Sequence, residues 1–122
     1  MPKVLIIEDN EDLRDTLIVL LEDQGYNVIS ANDGESGARV FDEARPDLVL
    51  TDVIMPNSDG VEAIRRMRAI DPAARIIAMS GGSLSGNDYQ LRMAKEAGAM
   101  DALAKPFEVE DLLGVVERCL KP

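Results

Sequence analysis

Short apolar runs alternate with segments of helical apolar spacing along the chain, and the pair recurs five times. Val4-Leu5-Ile6-Ile7 is the first run and stops at Glu8-Asp9. From Glu11 to Gln24, Leu13, Leu17, Leu20 and Leu21 return on one helical face, and Gly25 supplies the stop. Asn27 to Ala31 predicts a weaker strand, followed by a helix from about Glu35 to Ala44. Leu48 to Asp52 is the third strand. Gly60 to Ile70 is the third helix, with Ala63, Ile64 and Met67 inward and Asp71-Pro72 as its end. Arg75 to Ser80 is the fourth strand, and a Gly/Ser-rich loop leads to a helix around Asp88 to Ala97, stopped by Gly98. Met100 to Ala104 is a short fifth strand, broken by Lys105-Pro106, and Glu108 to Leu120 closes the chain as a helix.

Strands one, three and four are continuously apolar rather than alternating, as expected when helices cover both faces of a sheet. Alternating strand and helix predicts an α/β fold with a parallel sheet and right-handed crossovers. Ligands of such open sheets bind beyond the carboxyl ends of the strands. At 122 residues the chain is expected to form one domain, spanning 1–122, with no linker, repeat or low-complexity segment.

Composition removes several functions. No apolar run approaches the roughly 20 residues of a membrane helix, and Met1-Pro2-Lys3 leads into the first strand without a signal-peptide cleavage site. Cys119 is the one cysteine, so no intrachain disulfide forms and a reducing cytoplasm is the expected location. A net charge of -10 argues against direct contact with nucleic acid, whose phosphates demand a basic surface. It suits a cation or a basic partner, or serves solubility. With no histidine, imidazole acid-base chemistry and histidine metal sites are excluded.

The candidate chemistry lies at the strand ends. Strand one ends in Glu8-Asp9, strand three in Asp52, strand four in Ser80, and strand five just before Lys105. Singly, each has an ordinary explanation: Asp9 or Asn10 as a helix cap, Asp52 as a turn former, Ser80 as a loop start, Lys105 as an exposed lysine. Together they bring three acids, a hydroxyl and an amine to one edge. Clustered carboxylates raise one another's pKa unless a cation joins them. Oxygen ligands without histidine or cysteine suit Mg²⁺. With the metal present, one carboxylate is free to act as nucleophile towards a phosphoryl group, with Lys105 and Ser80 placed for its oxygens.

The segments VLIIEDNEDLR, DLVLTDVIMPNSDG, AMSGG and LAKPF, in this order and at these spacings, resemble the receiver domain of bacterial two-component response regulators over essentially the whole chain. The resemblance implies a flavodoxin-like (βα)5 three-layer sandwich with strand order 2-1-3-4-5. It implies that Asp52 is the phosphoacceptor and that Glu8 and Asp9 hold Mg²⁺ with Asp52 and the backbone carbonyl of Ile54. Ser80 takes the hydroxyl switch position and Lys105 contacts the phosphoryl group. Lys105-Pro106 matches a peptide bond usually cis in the family. Met55-Pro56 and Gly60 match the turn after the phosphorylation site, Pro56 ending the strand.

The implied function is a phosphorylation switch. It takes a phosphoryl group from a sensor histidine kinase or histidine phosphotransfer protein. It then changes partner binding at the face formed by helix four, strand five and helix five. Beyond its own phosphorylation and dephosphorylation it is expected to catalyse nothing. It is read either as a stand-alone receiver or as one cut from a larger protein such as a hybrid histidine kinase. A flavodoxin-like nucleotide or flavin binder is the alternative; Glu8-Asp9 would repel phosphate there, and aromatic residues are only 3% of the chain. A Mg²⁺-dependent phosphatase would need a second acid where Ile54 stands. A pseudo-receiver would lack site residues that are present here.

Some features depart from the family pattern. Ala102 occupies the place of the aromatic that swings inward after phosphorylation, so the signal is expected to run through the loop from Ser80 to Asp88 and the next helix. Gly81, Gly82 and Gly86 ease movement of that loop. Gly81 to Gly86 has phosphate-loop spacing, but Asn87-Asp88 lacks the required lysine and hydroxyl. Ile54 is expected to shield the acyl phosphate from water. Ile18 and Val19 lie off the main apolar face of the first helix, as a wide buried face or as a docking patch for the phosphodonor.

Overall fold

The computed structural model describes the backbone of residues 1–55, 58–80 and 89–121, and the side chains of these except 54–55, 58–59 and 89–91. The elements run β1 (Lys3–Ile7), α1 (Glu11–Asp23), β2 (Asn27–Ala31), α2 (Gly34–Ala44), β3 (Leu48–Asp52), β4 (Ile54–Met55), β5 (Ser58–Asp59), α3 (Gly60–Ile70), β6 (Ile76–Ser80), α4 (Tyr89–Ala97), β7 (Asp101–Ala104) and α5 (Val109–Leu120). The main sheet has the order β2-β1-β3-β6-β7, all pairs parallel, which is 2-1-3-4-5 counted over its own strands.

The pleat explains why the central strands are apolar throughout. Successive side chains point to opposite faces of a strand. Leu5 and Ile7 of β1, Val49 of β3 and Ile76 and Ala78 of β6 enter one core cluster with Phe41 of α2, Ile64 and Met67 of α3 and Ala94 of α4. Val4 and Ile6, Leu48 and Leu50, and Ile77 and Met79 enter the other, with Leu17 and Leu21 of α1 and Leu112, Val115, Val116 and Cys119 of α5. Two clusters on two faces give the expected three layers. Gly37 of α2 exists for this packing, since a Cβ there would collide with Ile7.

Local chemistry sets the helix ends. Asn10 Oδ1 accepts from the Leu13 N–H at 3.0 Å, and Asp33 Oδ1 accepts from the Ser36 N–H at 2.7 Å, each satisfying a free donor of a first turn. Gly25 and Gly98 leave α1 and α4 with φ of +93° and +127°, where a side chain would be strained.

The turn expected at Met55-Pro56 is instead flanked by a two-stranded antiparallel hairpin, with Ile54 opposite Asp59 and Met55 opposite Ser58. Pro56 itself, the Gly81, Gly82 and Gly86 loop and Asp88 lie outside the described residues, as does the Ile54 side chain. On α1, Ile18 packs partly against the second core cluster, whereas Val19 is exposed. No helix among the described residues is long and apolar enough to cross a membrane.

Candidate metal and phosphoryl site

The sequence-predicted residues sit at the last paired residue of a strand or one or two steps past it, and main-chain bonds continue the ladders towards them. The Glu8 N–H donates to the Ala31 carbonyl at 3.1 Å, which carries β1 one residue beyond Ile7. The Val53 N–H donates to the Met79 carbonyl at 3.0 Å and fixes the backbone immediately after Asp52. The Lys105 N–H donates to the Ser80 carbonyl at 2.7 Å, joining the ends of β7 and β6. The buried Thr51 hydroxyl donates to the Asp52 carbonyl at 3.1 Å. Gly60 opens α3 against this point, because a Cβ there would strike the Asp52 carbonyl and the Val53 backbone.

These backbones aim three acids at one another. Glu8 is 1% exposed and Asp52 5%, while Asp9 is exposed, and one carboxylate oxygen from each lies within 4.8 Å of the others. Lys105 Nζ donates to Glu8 Oε1 at 2.7 Å and to Asp52 Oδ2 at 3.1 Å. The second Glu8 oxygen accepts from the Asn10 N–H at 3.2 Å. Ser80 is fully buried at the end of β6. Lys105-Pro106 is cis. A groove of about 400 Å³ beside Lys105 is lined by Leu13, Lys105, Pro106 and Phe107.

Burial pushes the Glu8 carboxyl above the usual carboxylate range. The Lys105 hydrogen bond and the Asn10 N–H act against that, and the Asp52 charge adds to it. Burial also pulls on the Lys105 ammonium, but the hydrogen bond to Glu8 and the charges of Asp52 and Glu8 outweigh it and leave Lys105 above its ordinary value. Three clustered carboxylates thus have one ammonium, which bonds two of them, and the cluster retains excess negative charge. A hard divalent cation fits that deficit. The three acids offer one oxygen each within 4.8 Å of one another, and the ligand set contains neither sulfur nor imidazole. Glu8, Asp9 and Asp52 form an acidic cluster able to hold a metal.

Ala102 pairs with Ala78 in the ladder between β7 and β6. Sequence reasoning missed one contact: Arg14 Nη1 donates to the Glu8 carbonyl at 2.9 Å. A signal for it was available. Arg14 follows Glu11 and Asp12 in the first turn of α1, where the helix macrodipole opposes a cation.

Comparisons with known proteins agree with this geometry. The family model for the response regulator receiver domain matches residues 4–117. Sporulation initiation phosphotransferase F of Bacillus subtilis (strain 168) is 34% identical over 97% of the chain and 93% of its own length. The chemotaxis protein CheY of Listeria monocytogenes is 32% identical over 99% of the chain and 100% of its own. The solved receiver domain of sensor histidine kinase PA1611 from Pseudomonas aeruginosa PAO1 has a magnesium ion coordinated in its active-site cleft. It superposes with a TM-score of 0.87 at 30% identity, covering 98% of this chain and 97% of that one.

Proposed function

Since the chain belongs to the response regulator receiver domain family of two-component signalling, we propose that Asp52 is its phosphoacceptor and that the acids around it hold Mg²⁺. Receivers are signalling domains that meet histidine kinases and output domains, not catalysts of metabolic reactions. We read residues 1–122 as one such domain, acting in the cytoplasm.

The observation that carries the reading is the Lys105 bridge between Glu8 and Asp52. Asp52, a second acid and a cation thus lie within one hydrogen-bond network, which supports Asp52 as the nucleophile. Glu8, Asp9, Asp52 and the Ile54 carbonyl would hold Mg²⁺, which when bound neutralises charge on the phosphoryl oxygens. An Asp52 carboxylate oxygen forms the bond to phosphorus as the bond from phosphorus to the donor imidazole nitrogen breaks. The electron pair returns to that nitrogen. The donor histidine belongs to a kinase or phosphotransfer protein, because this chain has no histidine. Lys105 Nζ is placed to follow the negative charge from the carboxylate onto the transferred group, and the Ser80 hydroxyl to accept a hydrogen-bonding role there. The fixed strand ends hold these groups in place before reaction, so little reorganisation is needed.

The output surface is the face formed by α4, β7 and α5, reached from Ser80 through the segment leading into α4. With alanine at 102, the β7 side chain there has no rotamer to exchange. Similarity to both a free-standing phosphotransferase and a kinase-derived receiver leaves room for either setting.

Acetyl-phosphate labelling tests the assignment. Wild type is expected to gain one phosphoryl group in Mg²⁺ and none in EDTA, and Asp52→Asn none in either. Equal labelling of Asp52→Asn, or labelling that ignores EDTA, would overturn it.

A further inference from the structure

We infer that Arg14 is a positioning residue for the metal site, holding the peptide unit between Glu8 and Asp9 in the orientation that lets both acids face one ion. This rests on the reading of Glu8, Asp9 and Asp52 as the Mg²⁺ site. Every polar group of Glu8 has a partner. Its N–H donates to the Ala31 carbonyl at 3.1 Å, Oε1 accepts from Lys105 at 2.7 Å, and Oε2 accepts from the Asn10 N–H at 3.2 Å. Its carbonyl accepts from Arg14 Nη1 at 2.9 Å. That last group matters most for Asp9. The Glu8 carbonyl and the Asp9 N–H belong to one planar unit, so turning the carbonyl turns the direction in which Asp9 leaves the strand. Glu8 is buried and locked from several sides, whereas Asp9 is exposed. Arg14 is therefore what aims the less constrained acid.

Two further observations favour this role. Among the described residues Arg14 enters no ion pair, although it stands one turn from Glu11 and beside Asp15 on an acidic helix. It lines a hollow with Ser30, Ala31, Asn32, Ser36 and Val40, beside the end of β2. The half-buried guanidinium thus joins the first turn of α1 to the end of β1. Asn10 does the same from the main chain, since its side chain caps α1 while its N–H reaches Glu8.

Charge and geometry predict opposite signs. A cation beside the acids opposes Mg²⁺, so if Arg14 acted only through its charge, removing it would tighten Mg²⁺ binding. If it positions Asp9, removal loosens binding, by about tenfold for the loss of an outer partner of a ligand. The experiment is a Mg²⁺ titration followed by amide NMR shifts of Asp9 and Val53 in wild type and Arg14→Met. We expect a Kd about tenfold weaker in Arg14→Met. In the metal-free variant the Asp9 amide should shift while Val53 stays in place. An unchanged or tighter Kd in the variant overturns the inference alone. Absence of Mg²⁺ binding in wild type overturns the site reading on which it rests. Should Arg14→Met not unfold cooperatively, Arg14→Gln, whose shorter stem withdraws the donor, is scored in the same way.

Discussion

At one end of β7, Lys105 Nζ lies 2.7 Å from Glu8 and 3.1 Å from Asp52; at the other, Arg118 Nη2 lies 2.6 Å from Asp101. Judged by distance the two clusters are equals. They differ in solvent: the Glu8 side chain is 1% exposed and that of Asp52 7%, against 63% for Arg118. Water screens the Arg118 pair and hydrates either partner when the other is removed. The Lys105 cluster has no such refuge. Breaking a buried pair leaves an uncompensated charge, so it is at this end of β7 that folding and function depend on one another.

The largest effect is therefore expected from Lys105→Met. Without divalent cations, urea unfolding should show a loss of about 3 kcal/mol, because Glu8 and Asp52 keep their burial and lose their cation. Mg²⁺ should restore part of this, since neutralisation of the acids no longer depends on the ammonium. A variant as stable as wild type in EDTA would show that the acids are in effect solvated, and the contrast between the two ends of β7 would fall.

A smaller effect sharpens the same contrast through pH. The folded-state pKa of Glu8 is raised, chiefly by burial. A raised carboxyl binds its proton more tightly in the folded protein, so Glu8 adds stability as pH falls from the raised value to the ordinary carboxylate value, and costs stability above that window. Lys105 is also raised, so its contribution is complete below the ordinary lysine value and constant across the Glu8 window. Glu8→Gln should accordingly be more stable than wild type at neutral pH in EDTA, with the gap closing on acidification. Mg²⁺ should reverse the order: at ten times its Kd it adds about 1.4 kcal/mol to wild type and less to the variant. Thermal unfolding at several pH values, with and without Mg²⁺, checks both statements. A gap independent of pH would remove burial of the Glu8 charge as its cause.

These interactions differ in how far the chain announces them. The three layers were legible because Val4 to Ile7, Leu48 to Thr51 and Ile76 to Met79 lack the alternation of a half-exposed strand. The acids were legible because Asp52 and Glu8 interrupt apolar runs where the fold class places its ligands. Lys105 was legible as a member of that strand-end cluster, but its direct bond to Glu8, 97 residues away, was not, since from sequence it was set only against the phosphoryl oxygens. The hairpin of Ile54-Met55 with Ser58-Asp59 escaped notice because two-residue strands carry no period. Arg14 escaped because its partner is a backbone carbonyl, and the available hint was only a cation set in the acidic first turn of a helix. Ile18 was left between a wide buried face and a docking patch, because its half-buried packing depends on how closely neighbouring elements approach α1.

The smallest effect belongs to the exposed end of β7. Burial alone would lift the Asp101 carboxyl, but the hydrogen bond from Arg118, with help from the Ala102 N–H, outweighs it and holds the group below the usual carboxylate range. A lowered carboxyl contributes stability that is present above the ordinary aspartate value and lost as pH falls through the folded one, the reverse of Glu8. A double-mutant cycle of Asp101→Asn and Arg118→Gln should therefore give a small coupling at neutral pH. That coupling should fade at acid pH and vanish in ~1 M salt, where screening acts within about 3 Å. The matching cycle of Glu8→Gln and Lys105→Met should keep most of its coupling in the same salt, because those partners are largely shielded from solvent. If salt abolished both couplings alike, burial would not be what separates them, and Lys105 would be an ordinary surface cation held near the acids by its strand. If salt abolishes only the Arg118 coupling, the side chains of the face formed by α4, β7 and α5 can change partners at little cost to the fold. Those around Asp52 would then change state only when a cation or a phosphoryl group takes part.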